Sequence, residues 1–184
     1  MVAFKVSLWI FLSIVVGSQE IEPWTTNSSG EYYLFQDRPD DQTIRNLTCK
    51  EDNCIIRCNE EESCQKFNIH GSNTKHMDLQ CDYPKQKELR PGSCWRANIF
   101  TQQASKVDIY CTNENCAETK FYVNKAEHAN IIFDGDWAGK YATINATEVQ
   151  NDLYITCNDT ESCSDLSVYC PISNKCKLNC NGTK

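Results

Sequence analysis

Apolar residues fall along this chain in two ways. From Val6 to Val16 they run almost unbroken, interrupted by Ser7 and Ser13. After that they come in short bursts: Cys54-Ile-Ile-Arg-Cys58, Met77-Asp-Leu-Gln80, Val107-Asp-Ile-Tyr110, Asn130-Ile-Ile-Phe133, Leu153-Tyr-Ile-Thr-Cys157 and Lys177-Leu-Asn179. Alternation with a period of two puts successive side chains on opposite faces of a strand, and Val, Ile, Phe and Tyr suit a pleated surface. No stretch of ten or more residues carries the 3.6-residue apolar period of an amphipathic helix. The pattern predicts short strands joined by polar turns.

The bursts repeat. Cys58-Asn-Glu-Glu-Glu-Ser-Cys64 and Cys157-Asn-Asp-Thr-Glu-Ser-Cys163 are nearly superimposable, and each leads on to two alternating apolar positions, Phe67 and Ile69 or Leu166 and Val168. Cys58 to Cys81 is 23 residues, Cys81 to Cys111 is 30, Cys111 to Cys157 is 46 and Cys157 to Cys180 is 23. The 30 is one period plus an insertion of seven within Asp82 to Ser93, where Pro84, Pro91 and Gly92 predict a protruding loop. The 46 is two periods, with Asp134 at the silent position between them. A lap of about 23 residues with strands and turns is one coil of a β-solenoid. The fold class expected is all-β, a disulfide-rich right-handed parallel β-helix. Residues 49–184 would form the cysteine-rich solenoid and 19–48 an N-terminal cap with a strand at Tyr32-Tyr-Leu-Phe35, where Phe35 stands one period before Cys58.

The register also orders the cysteines. A second cysteine follows the leading one by about six residues, as in Cys58 and Cys64, Cys111 and Cys116, and Cys157 and Cys163; Cys94 follows Cys81 by thirteen, six plus the insertion. In the fourth coil both are missing, with Asp134 and Lys140 at the counted positions. Joint loss is expected of cysteines that bond to each other, and an Asp134–Lys140 ion pair can stand in for the bridge, although an exposed pair is worth only ~0–1 kcal/mol. Local pairing then gives Cys49–Cys54, Cys58–Cys64, Cys81–Cys94, Cys111–Cys116, Cys157–Cys163 and Cys170–Cys176, each short loop worth roughly 2–3 kcal/mol in the chain-entropy model. The rival arrangement bonds equivalent cysteines of adjacent coils, whose spacing of ~4.8 Å is also within disulfide range. Cys180 is left unpaired, its partner falling beyond Lys184. That leaves two readings: a solenoid incomplete at its C-terminus, or an intermolecular bridge.

The apolar run at the N-terminus is shorter than the ~20 residues a spanning helix needs. With Lys5 before it and Val16-Gly17-Ser18 after it, residues 1–18 read as a cleaved signal peptide, and no membrane insertion is expected after cleavage. Thirteen cysteines then read as a disulfide framework of a secreted, extracellular chain, with display at a cell surface as part of a longer molecule as the variant of that expectation. No C-x-x-C occurs and His70, His76 and His128 stand apart, which argues against a thiolate metal site. Asn27, Asn46, Asn145, Asn158 and Asn181 open N-x-S/T sequons, so a glycoprotein is expected, although Asn158 and Asn181 also suit the turn after a leading cysteine. Without Lys5 the chain carries 17 basic and 25 acidic residues, a charge of −8. An acidic chain without a basic patch disfavours nucleic-acid and anionic-membrane partners.

Candidate chemistry is sparse. Asp134-Gly-Asp136-Trp-Ala-Gly139 is half a calcium loop, but Ala138 stands at the fifth ligand position and Asn145 at the twelfth, so a polar turn is the default and no cofactor or metal is expected. Asp134 and Asp136 also make a poor acid pair for glycoside hydrolysis. Glu60, Glu61, Glu62, Asp159 and Glu161 would line one solvated acidic edge if the turns stack. No catalytic residue is nominated. Tyr83, Trp95, Trp137 and Tyr141, near the inserted loop and the irregular coil, are the candidate contacts for an extracellular protein or carbohydrate ligand.

Residues 157–171, Cys-Asn-Asp-Thr-Glu-Ser-Cys-Ser-Asp-Leu-Ser-Val-Tyr-Cys-Pro, with Asn174-Lys-Cys-Lys-Leu-Asn-Cys-Asn-Gly182, resemble the cysteine-rich repeats of uncharacterised secreted and surface proteins of protists and algae. The resemblance covers 49–184 and implies a solenoid at the cell exterior, with no activity to carry over. The function expected is a non-catalytic structural or recognition module. The alternative is a polysaccharide-acting β-helix enzyme, whose mark would be a groove holding two or more carboxylates or a basic residue within ~10 Å of each other.

Overall fold

The computed structural model describes residues 24–26, 31–34, 44–60, 63–71, 74–84, 92–172 and 175–182. Residues 1–18, expected above to be a signal peptide, and Asn27, Phe35, Glu61 and Glu62 lie outside them. In chain order the described strands are β1 (Trp24–Thr26), β2 (Glu31–Leu34), β3 (Arg45–Thr48), β4 (Asn53–Cys58), β5 (Phe67–His70), β6 (His76–Cys81), β7 (Asn98–Phe100), β8 (Lys106–Thr112), β9 (Lys120–Tyr122), β10 (His128–Asp134), β11 (Thr143–Asn145), β12 (Asp152–Cys157), β13 (Ser167–Tyr169) and β14 (Lys175–Cys180).

Strand β1 and the even-numbered strands form one sheet, β1-β2-β4-β6-β8-β10-β12-β14, and the odd-numbered strands from β3 onward stack into a second, β3-β5-β7-β9-β11-β13. Every neighbouring pair is parallel except the β1–β2 hairpin. The chain therefore winds as a two-sheet β-solenoid of about five coils. The parallel ladder begins at β2 and β3, within the stretch assigned above to the cap. Tyr33 pairs with Arg57, a spacing of 24; the expected spacing was 23.

Alternation explains the core. Ile56, Leu79, Ile109, Ile131 and Ile155 point inward from the first sheet and meet Ile69, Ile99, Phe121 and Ile144 from the second, all fully buried. Phe121 of β9 meets Phe133 of β10 edge-on at 6.0 Å between ring centres. Both corners between the sheets are built to repeat. At one, i→i+3 turns close over Gly71–Thr74, Thr101–Ala104, Val123–Ala126 and Ala146–Val149. At the other, the second cysteine of each pair is left-handed: φ is +58° at Cys64, +62° at Cys94, +61° at Cys116 and +59° at Cys163. This conformation costs an L-residue roughly 1–2 kcal/mol. It is held by hydrogen bonds between coils, Cys94 N to Ser63 O, Cys116 N to Ser93 O and Cys163 N to Ala138 O, at 2.8–3.0 Å.

The six bridges join Cys49–Cys54, Cys58–Cys64, Cys81–Cys94, Cys111–Cys116, Cys157–Cys163 and Cys170–Cys176, and Cys180 is free and exposed. The fourth coil corrects the count made above. Phe133, not Asp134, pairs with Cys111 on one side and Cys157 on the other. Gly139, not Lys140, takes the second position: its φ is +68°, and its N–H donates to Asn115 O at 3.1 Å. The coil spacings on either side of Phe133 are 22 and 24, which equal division into 23s could not show. Asp134 and Lys140 form no ion pair. The Phe133 ring occupies the site of the missing bridge, seated so closely on Gly139 that an added Cβ would lie 2.3 Å from it.

Gly139→Ala is therefore expected to lose about 1–3 kcal/mol in urea denaturation, from overpacking and left-handed strain together. The double substitution Phe133→Cys/Gly139→Cys should close a seventh bridge. Thiol titration of the denatured double variant then finds the same single thiol, Cys180, as in the parent chain; three thiols would refute the equivalence.

Candidate functional site

Three of the four aromatics singled out above are carried by the disulfide corner. There the turns of successive coils are hydrogen-bonded to one another, with Arg96 N donating to Ala117 O and Glu118 N to Lys140 O. In the second coil the Arg96 guanidinium lies 4.1 Å from the Trp95 ring centre and donates through Nε to Glu118 at 2.8 Å, while Trp95 Nε1 donates to the same carboxylate at 3.2 Å. In the fourth coil Lys140 Nζ sits 4.5 Å from the Trp137 ring centre and 5.2 Å from that of Tyr141, which is half exposed. The corner thus presents two aromatic–cation groups two coils apart, roughly 10 Å at the strand spacing. Arg96 holds the Glu118 carboxyl below its ordinary range against a smaller upward push from burial, and Trp95 assists. Tyr83 opens the same corner in the second coil, its carbonyl accepting from Asn115 Nδ2 at 3.1 Å.

A second cluster on the outer face of the first sheet was not anticipated. The polar positions of the alternating strands stack as the apolar ones do, so Asp78 of β6 faces Asp108 of β8, and His76 faces Lys106. Like charges directly opposite are destabilising unless compensated. Arg57 bridges Asp78 at 3.2 Å and Glu31 at 3.4 Å. Asp108 receives His76 Nε2 at 2.8 Å and Lys106 Nζ at 2.6 Å. Burial pushes the Asp108 carboxyl upward, but hydrogen bonds and charge from Lys106 and His76 together hold it below the usual carboxylate range. One step along, Tyr110 donates to Asp134 at 2.9 Å; burial, Asp134 and Asp82 raise its pKa. Reading the polar residues of each strand against the 23-residue period would have aligned Asp78 near Asp108.

The other singled-out residues separate. Asp134 is engaged by Tyr110, and Asp136 lies in the turn beyond it, half-buried. Among the described residues, the convergent metal-ligating side chains are cysteines whose sulfurs are already spent in bridges. Glu60 and Asp159 close equivalent turns, where the Ser63 and Ser162 hydroxyls donate back to their carbonyls at 2.7 Å, which is the work of the repeated Ser before the second cysteine. These turns are four coils apart, and Glu61 and Glu62 of the expected acidic edge lie outside the described residues. His70 stacks on Phe100 and Phe100 on Tyr122 at 4.8 and 4.9 Å on the outside of the second sheet, away from His76 and His128. Of the sequons, Asn46 accepts from Asn68 at 3.0 Å, Asn158 accepts from Asn181 at 3.1 Å, and Asn145 lies on β11 between Tyr122 and Tyr169.

Fold and bridges define the class of this chain as a disulfide-clasped parallel β-solenoid, a cysteine usage consistent with an extracellular protein. Among the described residues no helix is long and apolar enough to cross a membrane. No protein-family model, curated protein or solved structure matches the chain.

Asp108 gives the charged face a defined pH signature. Its carboxyl titrates lower in the folded chain than the ~3.9 of an unfolded aspartate, so between the two values the unfolded chain binds more protons and stability rises with pH. The contribution is present in full above about pH 5 and is lost as pH falls through the folded value. Urea denaturation of Asp108→Asn against the parent should show a larger gap at pH 6 than at pH 2.5; an equal gap at both would show that the ion pairs do not hold the carboxylate.

Proposed function

We propose that this chain is a secreted, glycosylated, non-catalytic recognition module, akin to the cysteine-rich repeats of protist and algal surface proteins, that engages an extracellular carbohydrate or protein along its disulfide corner. The observation that carries this reading is the pair of aromatic–cation groups, Trp95–Arg96 and Lys140 with Trp137 and Tyr141, on one corner. Rigid aromatics that keep a polar handle are suited to such contacts because little side-chain entropy is lost on binding. Their backbones are fixed by the coil ladder, so the cost of ordering the site is met by folding rather than by binding. The signal segment and the cysteine usage support export, and the sequons Asn46 and Asn158, both exposed, support glycosylation.

The charged face is the observation behind a second reading, a polysaccharide-acting enzyme: the in-register carboxylates Asp78 and Asp108 stand beside Arg57, His76 and Lys106 on the outer face of the first sheet. Its chemistry is constrained: an Asp108 held ionised cannot donate a proton, so the acid would have to be another group.

Both readings are tested on protein secreted from a eukaryotic host. Glycan-array and extracellular-protein binding should be lost by tenfold or more in Trp95→Ala/Trp137→Ala, the scale of an aromatic anchor worth about 2 kcal/mol, with circular dichroism unchanged. Binding that survives the double substitution overturns the corner as the contact site. Hydrolysis of a polysaccharide panel that is abolished by Asp78→Asn or Asp108→Asn would replace the first reading by the second.

A further inference from the structure

The bridges of the first three cysteine-paired corners do not stand apart. The sulfur of Cys94 lies within 4.8 Å of both Cys58 and Cys64, and the sulfur of Cys81 within 4.8 Å of both Cys111 and Cys116. The middle bridge, Cys81–Cys94, thus offers one sulfur to each neighbour. All six cysteines are fully buried. Their strands are in register, Cys58 opposite Cys81 and Cys81 opposite Cys111, and the Cys94 and Cys116 amides are hydrogen-bonded to the turn of the preceding coil. The column then stops: the next coil places Phe133 and Gly139 where sulfurs would stand, and Cys157–Cys163 lies on the far side.

We infer that Cys58–Cys64, Cys81–Cys94 and Cys111–Cys116 form a single thiol–disulfide exchange column, in which a thiol released in one coil is handed on through the interior to the coil two laps away, and that the Phe133–Gly139 pair ends it. Exchange proceeds by attack of a thiolate on a disulfide sulfur, with the other sulfur leaving. A thiolate at Cys64 attacks the sulfur of Cys94; the Cys64–Cys94 bond forms, the Cys81–Cys94 bond breaks and Cys81 leaves as thiolate. Cys81 in turn attacks Cys111 or Cys116, and the other member of that pair leaves and takes up the proton given up at Cys64. Entry needs an external thiol, whose thiolate attacks Cys58, forms a mixed disulfide with it and releases Cys64 as the thiolate; each later step makes one S–S bond and breaks one, so no further oxidant or reductant is consumed. An apolar interior raises thiol pKa and slows the attack; sulfurs held close by the fold offset this, because the encounter is already made. Cys64–Cys94 and Cys81–Cys111 join equivalent cysteines of adjacent coils, and Cys81–Cys116 joins a leading cysteine to a second one; in either case exchange replaces clasps within coils by stitches between them and leaves the winding intact.

The test removes one sulfur at the end of the column. Full-length Cys58→Ser is secreted, acid-quenched, alkylated under denaturing conditions and mapped without reduction. The expected result is a Cys64–Cys94 peptide, with the one displaced thiol per molecule alkylated at Cys81 in part of the population and at Cys111 or Cys116 in the rest; alkylation confined to Cys64 and Cys180, with the other bridges native, overturns the column. In Cys157→Ser the released thiol is expected at Cys163, free or joined to Cys180. Alkylation of Cys111 or Cys116 there would show that Phe133 and Gly139 do not end the column. Should Cys58→Ser fail to fold, substoichiometric dithiothreitol on the parent chain under native conditions, quenched and mapped alike, serves instead: Cys64–Cys94 or Cys81–Cys111 peptides support the inference, and thiols found in native pairs alone overturn it.

Discussion

Everything in this solenoid depends on the corner where each coil turns from the first sheet into the second. The reversal requires left-handed backbone at residues such as Cys64, Cys94, Cys116 and Cys163, a conformation that L-residues adopt at a cost. Two constraints hold it together: a side-chain clasp within the coil and an amide–carbonyl bond to the coil before. Stacked, the corners set the registers of both sheets, and registers decide which side chains are buried. The fourth coil shows that the clasp need not be sulfur. Phe133 on Gly139 meets the same geometric requirement by filling the volume with a ring and supplying a residue for which φ of +68° is unstrained.

A scaffold of this kind spends its inward positions on packing and leaves its outward positions free to vary. Parallel stacking then converts the outward positions into columns at the strand spacing. Several columns are visible: stacked rings from His70 to Tyr122, amides from Asn46 through Asn68 to Asn98, and the compensated charges around Asp78 and Asp108. The corner groups around Trp95 and Trp137 differ in that their aromatic faces meet cations, Arg96 and Lys140, rather than other rings. The rival pairing of equivalent cysteines, weighed from spacing alone, reappears here as the exchange partner of the pairing adopted. Both are near at hand because coil spacing and disulfide reach coincide.

Much of this was legible in one dimension. The alternation of apolar residues, the return of Cys58-Asn-Glu-Glu-Glu-Ser-Cys64 as Cys157-Asn-Asp-Thr-Glu-Ser-Cys163 and the joint absence of two cysteines from the fourth coil lead to strands, period and local bridges. The identity of the replacements was not legible, because dividing 46 residues equally lands on Asp134 and Lys140, whereas the turns on either side differ by a residue or two in length. A turn can absorb such a change without disturbing its strands; a count cannot detect it. The charged face was missed for a related reason: Asp78 and Asp108 are 30 residues apart and meet only once the inserted loop is set aside.

The sequence by itself determined the architecture and the clasps, since a period-two pattern repeated at a fixed interval can bury its apolar face in few other ways, and the paired cysteines are five or six residues apart, Cys81 and Cys94 excepted by the inserted loop between them. Only the tertiary structure decided which residues stand beside one another across coils: Phe133 on Gly139, Lys106 and His76 on Asp108, Cys94 against Cys58 and Cys64. Those contacts depend on register, and register is a property of the whole stack. Each coil takes its alignment from the one beneath it, so a one-residue change in a turn shifts which side chains meet without altering the local pattern that predicted them.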